Sequence, residues 1–258
     1  MIHATAIVHP GAELASDVEI GPYAIIGEHV KIGRGTKVGA HAVIDGWTTI
    51  GEDNQIFHLS SVGAIPQDLK YKGEETYLKI GNTNIIREFV TIHLGTVTGD
   101  SETSVGNGNL FMAYSHVAHD CHIGNGVVMA NAATLAGHVT VEDFAILGGL
   151  PAIHQFTRIG AHVMIGGGTL VSMDIPPYTI ATGDRRDARL RGLNLVGLKR
   201  HNFSDEVIAS LKKAYKILVL SDLKLKDALE RIKNEVPTSP EINHFVTFIE
   251  SAQRGINR

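Results

Sequence analysis

A six-residue repeat of large apolar residues runs through the first two thirds of the chain and restricts its fold more than any other feature. Ten consecutive positions over Val8–Val62 keep the period without a miss, and it continues in the same phase over Ile80–Ile92. After a shift of one residue it occupies twelve positions over Val105–Val171. Apolar residues on one face of a helix recur every three or four residues, so this period excludes amphipathic helices.

Glycine often follows the repeated apolar residue, as at Gly21, Gly27 and Gly33, where it allows the backbone to turn sharply. A six-residue unit is about 20 Å of extended chain. A few such units can close one coil, and stacked coils pair edge to edge around a shared apolar core. The repeat therefore predicts a mainly β protein, a parallel β-helix of hexapeptide repeats.

Two polar segments interrupt the repeat, at residues 63–79 and 94–104. We expect both to leave the coils as loops, and loops on a rigid scaffold are common places for ligand contacts. The first segment carries Asp68, Lys70 and Lys72. Their charges favour a ligand contact over an inert insertion.

The last part of the chain has a different pattern. After residue 190 apolar residues return at helical spacing, and Ser204 is placed to cap a helix with an acidic first turn. The stretch LKDALERIKNEV predicts a second helix, and Pro240 opens a third. The predicted domains are a β-helix over residues 1–190 and a small helical domain over residues 191–258.

Charge and cysteine content limit the classes of protein to consider. Residues 1–183 contain 8 Lys and Arg against 17 Asp and Glu, whereas residues 184–258 contain 15 against 10. The single cysteine, Cys121, excludes an intramolecular disulfide and a cysteine-based zinc cluster. The N-terminus lacks a signal-peptide pattern and no apolar run reaches 18 residues, so we expect a cytoplasmic protein.

The segment SHVAHDCHIGN places His116, His119 and His122 three residues apart. With three hexapeptides in each coil, ligands for one metal ion would come from positions 18 or 36 residues apart, and none of these histidines has such a partner. Odd spacings also tend to alternate between the faces of a strand. We therefore predict no metal site.

His119 and its neighbours suit general-base chemistry instead. Asp120 can orient the imidazole, Gly137–His138 follows about one coil later, and His154–Gln155 lies one coil beyond. Neutral histidine is the natural base near pH 7, and a glycine N–H can stabilise an oxyanion. The arrangement predicts an acyl-transfer site without a covalent nucleophile, and we interpret Cys121 as a structural thiol.

Six motifs together resemble one family of acyltransferases. They are PQDLKY (Pro66–Tyr71), IREFVTIH (Ile86–His93), HVAHDC (His116–Cys121), LAGHV (Leu135–Val139), HQF (His154–Phe156) and GLKR (Gly197–Arg200). Their order and the helical end resemble the UDP-N-acetylglucosamine acyltransferases of lipid A biosynthesis over essentially the whole chain. The resemblance implies a left-handed β-helix and a homotrimer with sites between subunits. It also implies transfer of an R-3-hydroxyacyl chain from acyl carrier protein to the 3-hydroxyl of UDP-N-acetylglucosamine.

The resemblance also assigns roles to individual residues. His119 would be the general base, Asp120 its support, and the Gly137 N–H the donor to the oxyanion. The substrate-binding residues that it implies are Asp68, Lys70, His93, His116, His138, His154, Gln155, Asn194 and Arg200. No cofactor is implied beyond the phosphopantetheine of the carrier protein. That acidic carrier would meet the basic residues Arg185, Arg186, Arg189, Arg191, Lys199, Lys212 and Lys213.

Several alternatives stay open at this point. Leu94 and Val196 depart from the family pattern, so the acceptor is either the 3-hydroxyl sugar or a 3-amino analogue. The glycines Gly166–Gly168 beside the expected acyl groove favour a long chain. Competing functions are the N-acyltransferase of the same pathway, a coenzyme A-dependent acetyltransferase, a zinc protein on this fold and a β-helix without chemistry. The early start of the repeat disfavours the N-acyltransferase, and the DLKY loop disfavours the acetyltransferase. The histidine spacing disfavours a zinc protein, and the alignment of His119 with Gly137 disfavours a β-helix without chemistry.

Overall fold

Most six-residue units form a two-residue strand in which the first residue faces out and the second faces in. In the strand Lys31–Ile32, for example, Lys31 is exposed while Ile32 is only 3% exposed. The computed structural model describes residues 1–183 and 188–256. The same alternation recurs in most strands of the described residues, as the repeat predicted.

The described residues contain 27 strands and four helices. In chain order the strands are β1 (Ile7–Val8), β2 (Glu13–Leu14), β3 (Glu19–Ile20), β4 (Ile25–Ile26), β5 (Lys31–Ile32), β6 (Lys37–Val38), β7 (Val43–Ile44), β8 (Trp47–Ile50), β9 (Gln55–Ile56), β10 (Ser61–Ala64), β11 (Tyr77–Ile80), β12 (Ile85–Ile86), β13 (Thr91–His93), β14 (Glu102–Val105), β15 (Leu110–Phe111), β16 (His116–Val117), β17 (His122–Ile123), β18 (Val128–Met129), β19 (Thr134–Leu135), β20 (Thr140–Val141), β21 (Ile146–Leu147), β22 (Ala152–Ile153), β23 (Arg158–Ile159), β24 (Met164–Ile165), β25 (Leu170–Val171), β26 (Thr179–Thr182) and β27 (Arg189–Leu193). The helices are α1 (Leu195–Arg200), α2 (Asp205–Val219), α3 (Leu225–Glu235) and α4 (Pro240–Glu250).

Parallel pairing of each strand with the strand three places later builds the β-helix, so three strands make one coil. The register is 18 residues where no loop intervenes, as between His116 and Thr134. Three sheets result: sheet I runs from β1 to β25, sheet II from β2 to β23, and sheet III from β3 to β24 and on to β26. Among the described strands only β27 is antiparallel, beside β26. The predicted parallel β-helix of hexapeptide repeats is confirmed.

Turns join the three sheets at three corners. In the coil formed by β16, β17 and β18, residues 118–121 form the I/II corner and residues 124–127 form the II/III corner. Residues 130–133, which lead to β19, form the III/I corner. Because coils stack, each corner is a column of equivalent turns along the molecule.

An asparagine ladder lies inside the II/III corner, within a mainly apolar core. Asn54, Asn84 and Asn109 are buried there. The Asn84 Nδ2 donates to Asn54 Oδ1 and to the carbonyl of Gly106, both at 3.0 Å. The Asn84 Oδ1 accepts from the backbone N–H and the Nδ2 of Asn109, both at 2.9 Å. The amide of Asn84 is therefore fully satisfied without water.

Two loops leave the coils where the sequence predicted them, both at the I/II corner. The first lies between β10 and β11 and comprises residues 65–76, whereas 63–79 was predicted. The second lies between β13 and β14 and comprises residues 94–101, whereas 94–104 was predicted. Both are shorter than expected because the flanking strands are four residues long or nearly so and extend into the polar segments.

Two of the C-terminal helices begin at serine caps, of which Ser204 was predicted. The Ser204 Oγ accepts a hydrogen bond from the Val207 N–H at 3.3 Å at the start of α2. The Ser239 Oγ accepts one from Ile242 before α4, whose first turn contains Pro240. Short side-chain caps of this kind satisfy N–H groups that a helix leaves free, so they are readable from sequence.

Two features of this region differ from the prediction. Helix α1 was not predicted, because six residues are too few to show a helical period. The predicted domain boundary between residues 190 and 191 falls inside β27, which pairs with β26 at the end of sheet III. The strand that closes sheet III thus spans both predicted domains.

Replacing Asn84 by alanine should destabilise the protein by roughly 2–4 kcal/mol, because the Asn109 amide and the Gly106 carbonyl lose partners in a buried site. Asn82→Ala is the matched control, since Asn82 is exposed and water can replace its bond to the Glu52 N–H. Urea unfolding followed by circular dichroism measures both variants. Equal stability losses in the two variants would show that the buried asparagine ladder contributes no more to stability than an exposed hydrogen bond.

Candidate active site

The three evenly spaced histidines occupy different surfaces around the I/II corner. His116 faces out from β16 in sheet I, where its Nδ1 lies 2.7 Å from the Thr91 Oγ1. His119 lies in the turn itself. His122 faces out from β17 in sheet II, with its ring nitrogens bonded to Ser104 and Asp100 at 2.8 and 2.9 Å. The three rings therefore do not converge on one point.

Coil stacking brings together the residues that the spacing aligned. The His138 N–H donates to the His119 carbonyl at 3.0 Å, and the Phe156 N–H donates to the Gly137 carbonyl at 3.2 Å. His119, Gly137 and Gln155 are thus equivalent positions in three successive coils. His154 and Gln155 are exposed at this corner.

His119 and Asp120 form a hydrogen-bonded dyad. The His119 Nδ1 lies 2.7 Å from the Asp120 Oδ2, and Asp120 is only 2% exposed. Burial alone would raise the pKa of Asp120, but hydrogen bonds from His119 and Thr96 outweigh it and hold the pKa below its usual value. An ionised carboxylate can only accept, so the His119 proton lies on Nδ1 and the Nε2 lone pair is free.

Gly137 leaves room for the His119 ring. A Cβ atom at residue 137 would lie 2.5 Å from the His119 Cε1 and 2.7 Å from its Nε2. Any side chain there would displace the imidazole. Within the described residues the Gly137 N–H has no hydrogen-bond acceptor, so it is free to bind a ligand beside His119.

His138 forms the second layer of this corner. Its ring meets the His119 ring edge-on at 5.1 Å between centroids and stacks on Phe156 at 4.4 Å. Burial lowers the pKa of His138, against an opposing effect of Asp120 and a smaller one of Asp68. Asp68 lies on the loop 65–76, which leaves the coils at the I/II corner. Lys70, in the same loop, is exposed, and its N–H donates to the Asp68 carboxylate at 2.9 Å.

His93 and His116 extend the row of rings beneath His119. Their centroids lie 4.9 Å apart in an edge-on arrangement. His93 is 5% exposed, and burial, with the nearby His116 and His119, lowers its pKa to about 4. Burial, with the nearby His119, also lowers the pKa of His116. His93 and His116 are neutral near pH 7.

Asn194 and Arg200 do not join this corner within one chain. The Asn194 Oδ1 caps α1 by accepting from the Gly197 N–H at 3.0 Å, and its Nδ2 donates to the His162 carbonyl at 2.9 Å. His162 belongs to the II/III corner, and Arg200 is exposed at the end of α1. The predicted site residues therefore lie on two corners of the coil. Arg185 and Arg186, predicted to meet the carrier protein, lie outside the described residues.

His119, Asp120 and His138 are the group in the described residues that could hold a metal ion. One potential ligand atom from each lies within 4.8 Å of the others. His138 lies 19 rather than 18 residues beyond His119, so the 18-residue spacing did not indicate it as a ligand. However, two ligands about 2.0–2.1 Å from a tetrahedral zinc ion would be roughly 3.3 Å apart. The His119 Nδ1 and the Asp120 Oδ2 are only 2.7 Å apart, which is shorter than that separation and is the distance of a hydrogen bond.

Cys121 is buried and lies beside the dyad. Its thiol donates to the Ala136 carbonyl at 3.1 Å, and burial raises its pKa to about 12. It is a neutral thiol near pH 7, which supports the interpretation of Cys121 as structural.

Sequence reasoning missed two residues of the loop 94–101. The Thr96 backbone N–H and Oγ1 both donate to the Asp120 carboxylate. Gly99 packs directly against Asp120 and His138, where a Cβ atom would lie 2.5 Å from the Asp120 Cγ. Nothing in a polar, aperiodic segment indicates such contacts. Only its position between two recognised motifs marks it.

Comparison with known proteins first identifies the class. Residues 1–34, 11–46 and 102–137 match the family described as bacterial transferase hexapeptide (six repeats), so this is a hexapeptide-repeat transferase. Residues 174–257 match the family described as Udp N-acetylglucosamine O-acyltransferase, domain 2.

Relatives similar over the whole chain identify the family. The acyl-[acyl-carrier-protein]–UDP-N-acetylglucosamine O-acyltransferase of Trichlorobacter lovleyi is 67% identical over 258 residues, with 100% of this chain and 99% of the relative covered. That of Thermodesulfovibrio yellowstonii is 59% identical over 257 residues with the same coverage. The solved UDP-N-acetylglucosamine acyltransferase of Bacteroides fragilis is 46% identical, with a TM-score of 0.97 and 100% of both chains covered. The chain belongs to the UDP-N-acetylglucosamine O-acyltransferase family: it is an acyltransferase built on a left-handed β-helix.

None of the helices in the described residues is long and apolar enough to cross a membrane.

The neutrality of His93 predicts a pH-dependent stability. The unfolded chain binds a proton near pH 6.5 and the folded chain only near pH 4, so acid favours unfolding in between. At pH 5 the His93 contribution should cost about 2 kcal/mol relative to pH 8. His93→Phe keeps a ring but cannot titrate, so its stability should fall by that much less over the same interval.

Thermal unfolding of the wild type and His93→Phe at pH 8 and pH 5 measures the difference. His41→Phe, on an exposed ring stacked against Tyr23, is the control and should follow the wild type. Parallel pH dependence of wild type and His93→Phe would contradict a buried neutral His93.

Proposed function

We propose that the protein transfers an R-3-hydroxyacyl chain from acyl carrier protein to the 3-hydroxyl of UDP-N-acetylglucosamine, the first step of lipid A biosynthesis. The observation that carries the proposal is the dyad of His119 and Asp120, with a free Nε2 directly beside Gly137. The names of the similar proteins supply the donor and acceptor. No cofactor is needed beyond the phosphopantetheine of the carrier, and the same proposal places the reaction in the cytoplasm.

General-base catalysis follows from the dyad. The His119 Nε2 takes the proton of the 3-hydroxyl while the oxygen attacks the thioester carbonyl carbon, and the Asp120 carboxylate stabilises the imidazolium that forms. The Gly137 N–H donates to the oxyanion of the tetrahedral intermediate. The intermediate then collapses, its C–S bond breaks, and His119 returns the proton to the departing thiolate. Proton and electron pairs balance without a covalent enzyme intermediate.

The remaining predicted residues line the groove around this centre in the proposal. Asp68 and Lys70 lie on the loop 65–76, which leaves the coils at the I/II corner, and are suited to bind the polar sugar. The neutral rings of His93 and His116 add little charge beside an apolar acyl chain. His138, His154 and Gln155 complete the lining one and two coils further on.

A homotrimer would bring together the predicted site residues that lie at two different corners of one chain. Asn194 and Arg200 lie at the II/III corner of one chain, so a second copy must bring them to His119 at the I/II corner. Sheet III supports such packing, because its outward residues form an apolar stripe along six strands. They are Ile85, Leu110, Val128, Ile146, Met164 and Ile180. Outward residues of the earlier strands are instead polar, as at Lys37 and Gln55.

Exposed basic residues near α1 and α2 would receive the acidic carrier protein. Arg189, Arg191, Lys199, Lys212 and Lys213 are all exposed in the described residues. Opposite charges steer such encounters and raise the rate of association. The basic balance of residues 184–258, 15 against 10, agrees with this partner.

A 3-amino sugar is the second candidate acceptor, favoured by Leu94. Leu94 is 1% exposed and packs against Gly46, so an aliphatic residue stands beside His93 where the family pattern has arginine. Val196, the other departure, is 62% exposed on α1. These two departures are the reason to test this acceptor, while the dyad and Gly137 stay as the hydroxyl reaction requires.

Replacing His119 by alanine should lower the rate of acyl transfer about 10²–10⁴-fold, because the hydroxyl loses its base. His122→Ala is the matched control. His122 is the next of the three evenly spaced histidines but faces out from sheet II, so the rate of acyl transfer should stay within about threefold of the wild type. Transfer from 3-hydroxyacyl carrier protein is measured with UDP-N-acetylglucosamine and, in parallel, its 3-amino analogue.

Each outcome of this assay is informative. Full activity in His119→Ala would contradict the general-base mechanism and leave the family assignment intact. A wild type that acylates only the 3-amino analogue would replace the proposed acceptor by the second candidate.

Introducing a charge into the apolar stripe should dissociate the trimer. Val128→Arg places an unpaired cation in the middle of the stripe, whereas Gln55→Arg on the polar end of the same sheet is the control. Light scattering should give three times the 27.8 kDa chain mass for wild type and control, and one chain mass with loss of transfer for Val128→Arg. A monomeric wild type with full activity would contradict a shared site.

A further inference from the structure

The loop 94–101 holds the catalytic carboxylate from outside the coil. The Thr96 N–H donates to the Asp120 Oδ1 at 2.9 Å, and the Thr96 Oγ1 donates to the Oδ2 at 2.6 Å. The Oδ2 is also the atom that faces the His119 Nδ1, at 2.7 Å. One residue of the loop therefore binds both oxygens of the carboxylate that orients the proposed base.

The backbone of Asp120 is held separately. Its N–H donates to the Thr103 Oγ1 at 2.8 Å, and its φ of 56° lies in the left-handed region that turns of this coil require. Thr103 holds the backbone of Asp120 in place, while Thr96 holds the orientation of its carboxylate. Without the Thr96 hydroxyl, the Thr96 N–H would still bind Oδ1, but His119 would be the remaining side-chain donor to Oδ2, and the position of that oxygen would be less well defined.

Thr96 is itself fixed by the loop. Its carbonyl accepts from the N–H groups of Gly99 and Ser101, both at 3.0 Å. The preceding residues are tied to the coils, because Leu94 donates to the Ala64 carbonyl at 3.0 Å and Gly95 to the Tyr77 carbonyl at 3.1 Å. The hydroxyl is thus placed before any substrate arrives, which is the condition for a preorganised contact.

Gly99 lets this loop lie directly on the dyad. A Cβ atom at residue 99 would lie 2.5 Å from the Cγ and Oδ1 of Asp120 and 2.7 Å from the Cε1 of His138. The loop therefore closes over the carboxylate and shields it from water. A shielded and fully hydrogen-bonded carboxylate has one orientation, which sets the orientation of His119.

We propose that Thr96 is a positioning residue of the acyl transfer, which acts through Asp120 to hold His119 with its Nε2 towards the acceptor hydroxyl. The inference rests on the proposed function and adds a residue that contacts neither substrate nor reacting atoms. Its effect should appear in kcat, because the orientation of the base matters in the transition state, and leave KM nearly unchanged.

A double-mutant cycle separates positioning from a merely structural role. Thr96→Val has nearly the same shape but no hydroxyl, and should lower kcat about 10–100-fold with KM within about twofold. Thr96→Ser restores the hydroxyl and should recover most of kcat. In an Asp120→Asn background, Thr96→Val should change kcat less than about twofold, because the carboxylate through which Thr96 acts is already gone. Melting temperatures of all variants report on folding.

Two results would overturn the inference: an unchanged kcat in Thr96→Val, or the same loss in the Asp120→Asn background as in the wild type. A wild type without transfer activity would overturn the proposed function instead. The contact is then tested by the downfield proton resonance of the His119 Nδ1–H bond. Its chemical shift should be the same in the wild type and Thr96→Ser and different in Thr96→Val, and an unchanged shift in Thr96→Val would overturn the inference.

Discussion

The stacking of one 18-residue coil on the next is the constraint on which the remaining structure depends. Where no loop intervenes, parallel pairing aligns a residue with the residues 18 before and 18 after it, and backbone hydrogen bonds hold that alignment. His119 lies against Gly137 for this reason, and Gly137 aligns with Gln155. Functional groups far apart in the chain thus become neighbours without a long loop to carry them, and a glycine in one coil creates the space that a ring in the previous coil fills.

Burial and one carboxylate set the charge of the histidine corner. Burial lowers the pKa of His93, His116 and His138, so the corner carries little positive charge near pH 7. Asp120 is the exception, since its hydrogen bonds keep it ionised despite burial. A free imidazole nitrogen next to a fixed carboxylate is what abstraction of a hydroxyl proton near pH 7 needs. The desolvation of that carboxylate is offset by the loop 94–101.

The flat sides of the β-helix separate site residues that a globular domain would place in one cleft. The dyad lies at the I/II corner, whereas Asn194 and α1 lie at the II/III corner. A rigid three-sided coil cannot bend to join them, so in the proposed homotrimer contacts between copies would bring them together. The apolar stripe on sheet III is the surface that the proposal assigns to such contacts, because outward positions of a solvated sheet are otherwise polar, as at Lys37.

The sequence by itself determines the features that are periodic or local. The six-residue period predicts the coils and their core, Ser204 and Pro240 predict helix starts, and His119 and Asp120 are neighbours in the chain. Only the tertiary structure decides that Thr96 and Gly99 close over the dyad. The physical reason is that a period assigns each residue a coil and a face, whereas a loop without a period takes the path that its hydrogen bonds and packing allow. Those contacts exist only after the coils have stacked.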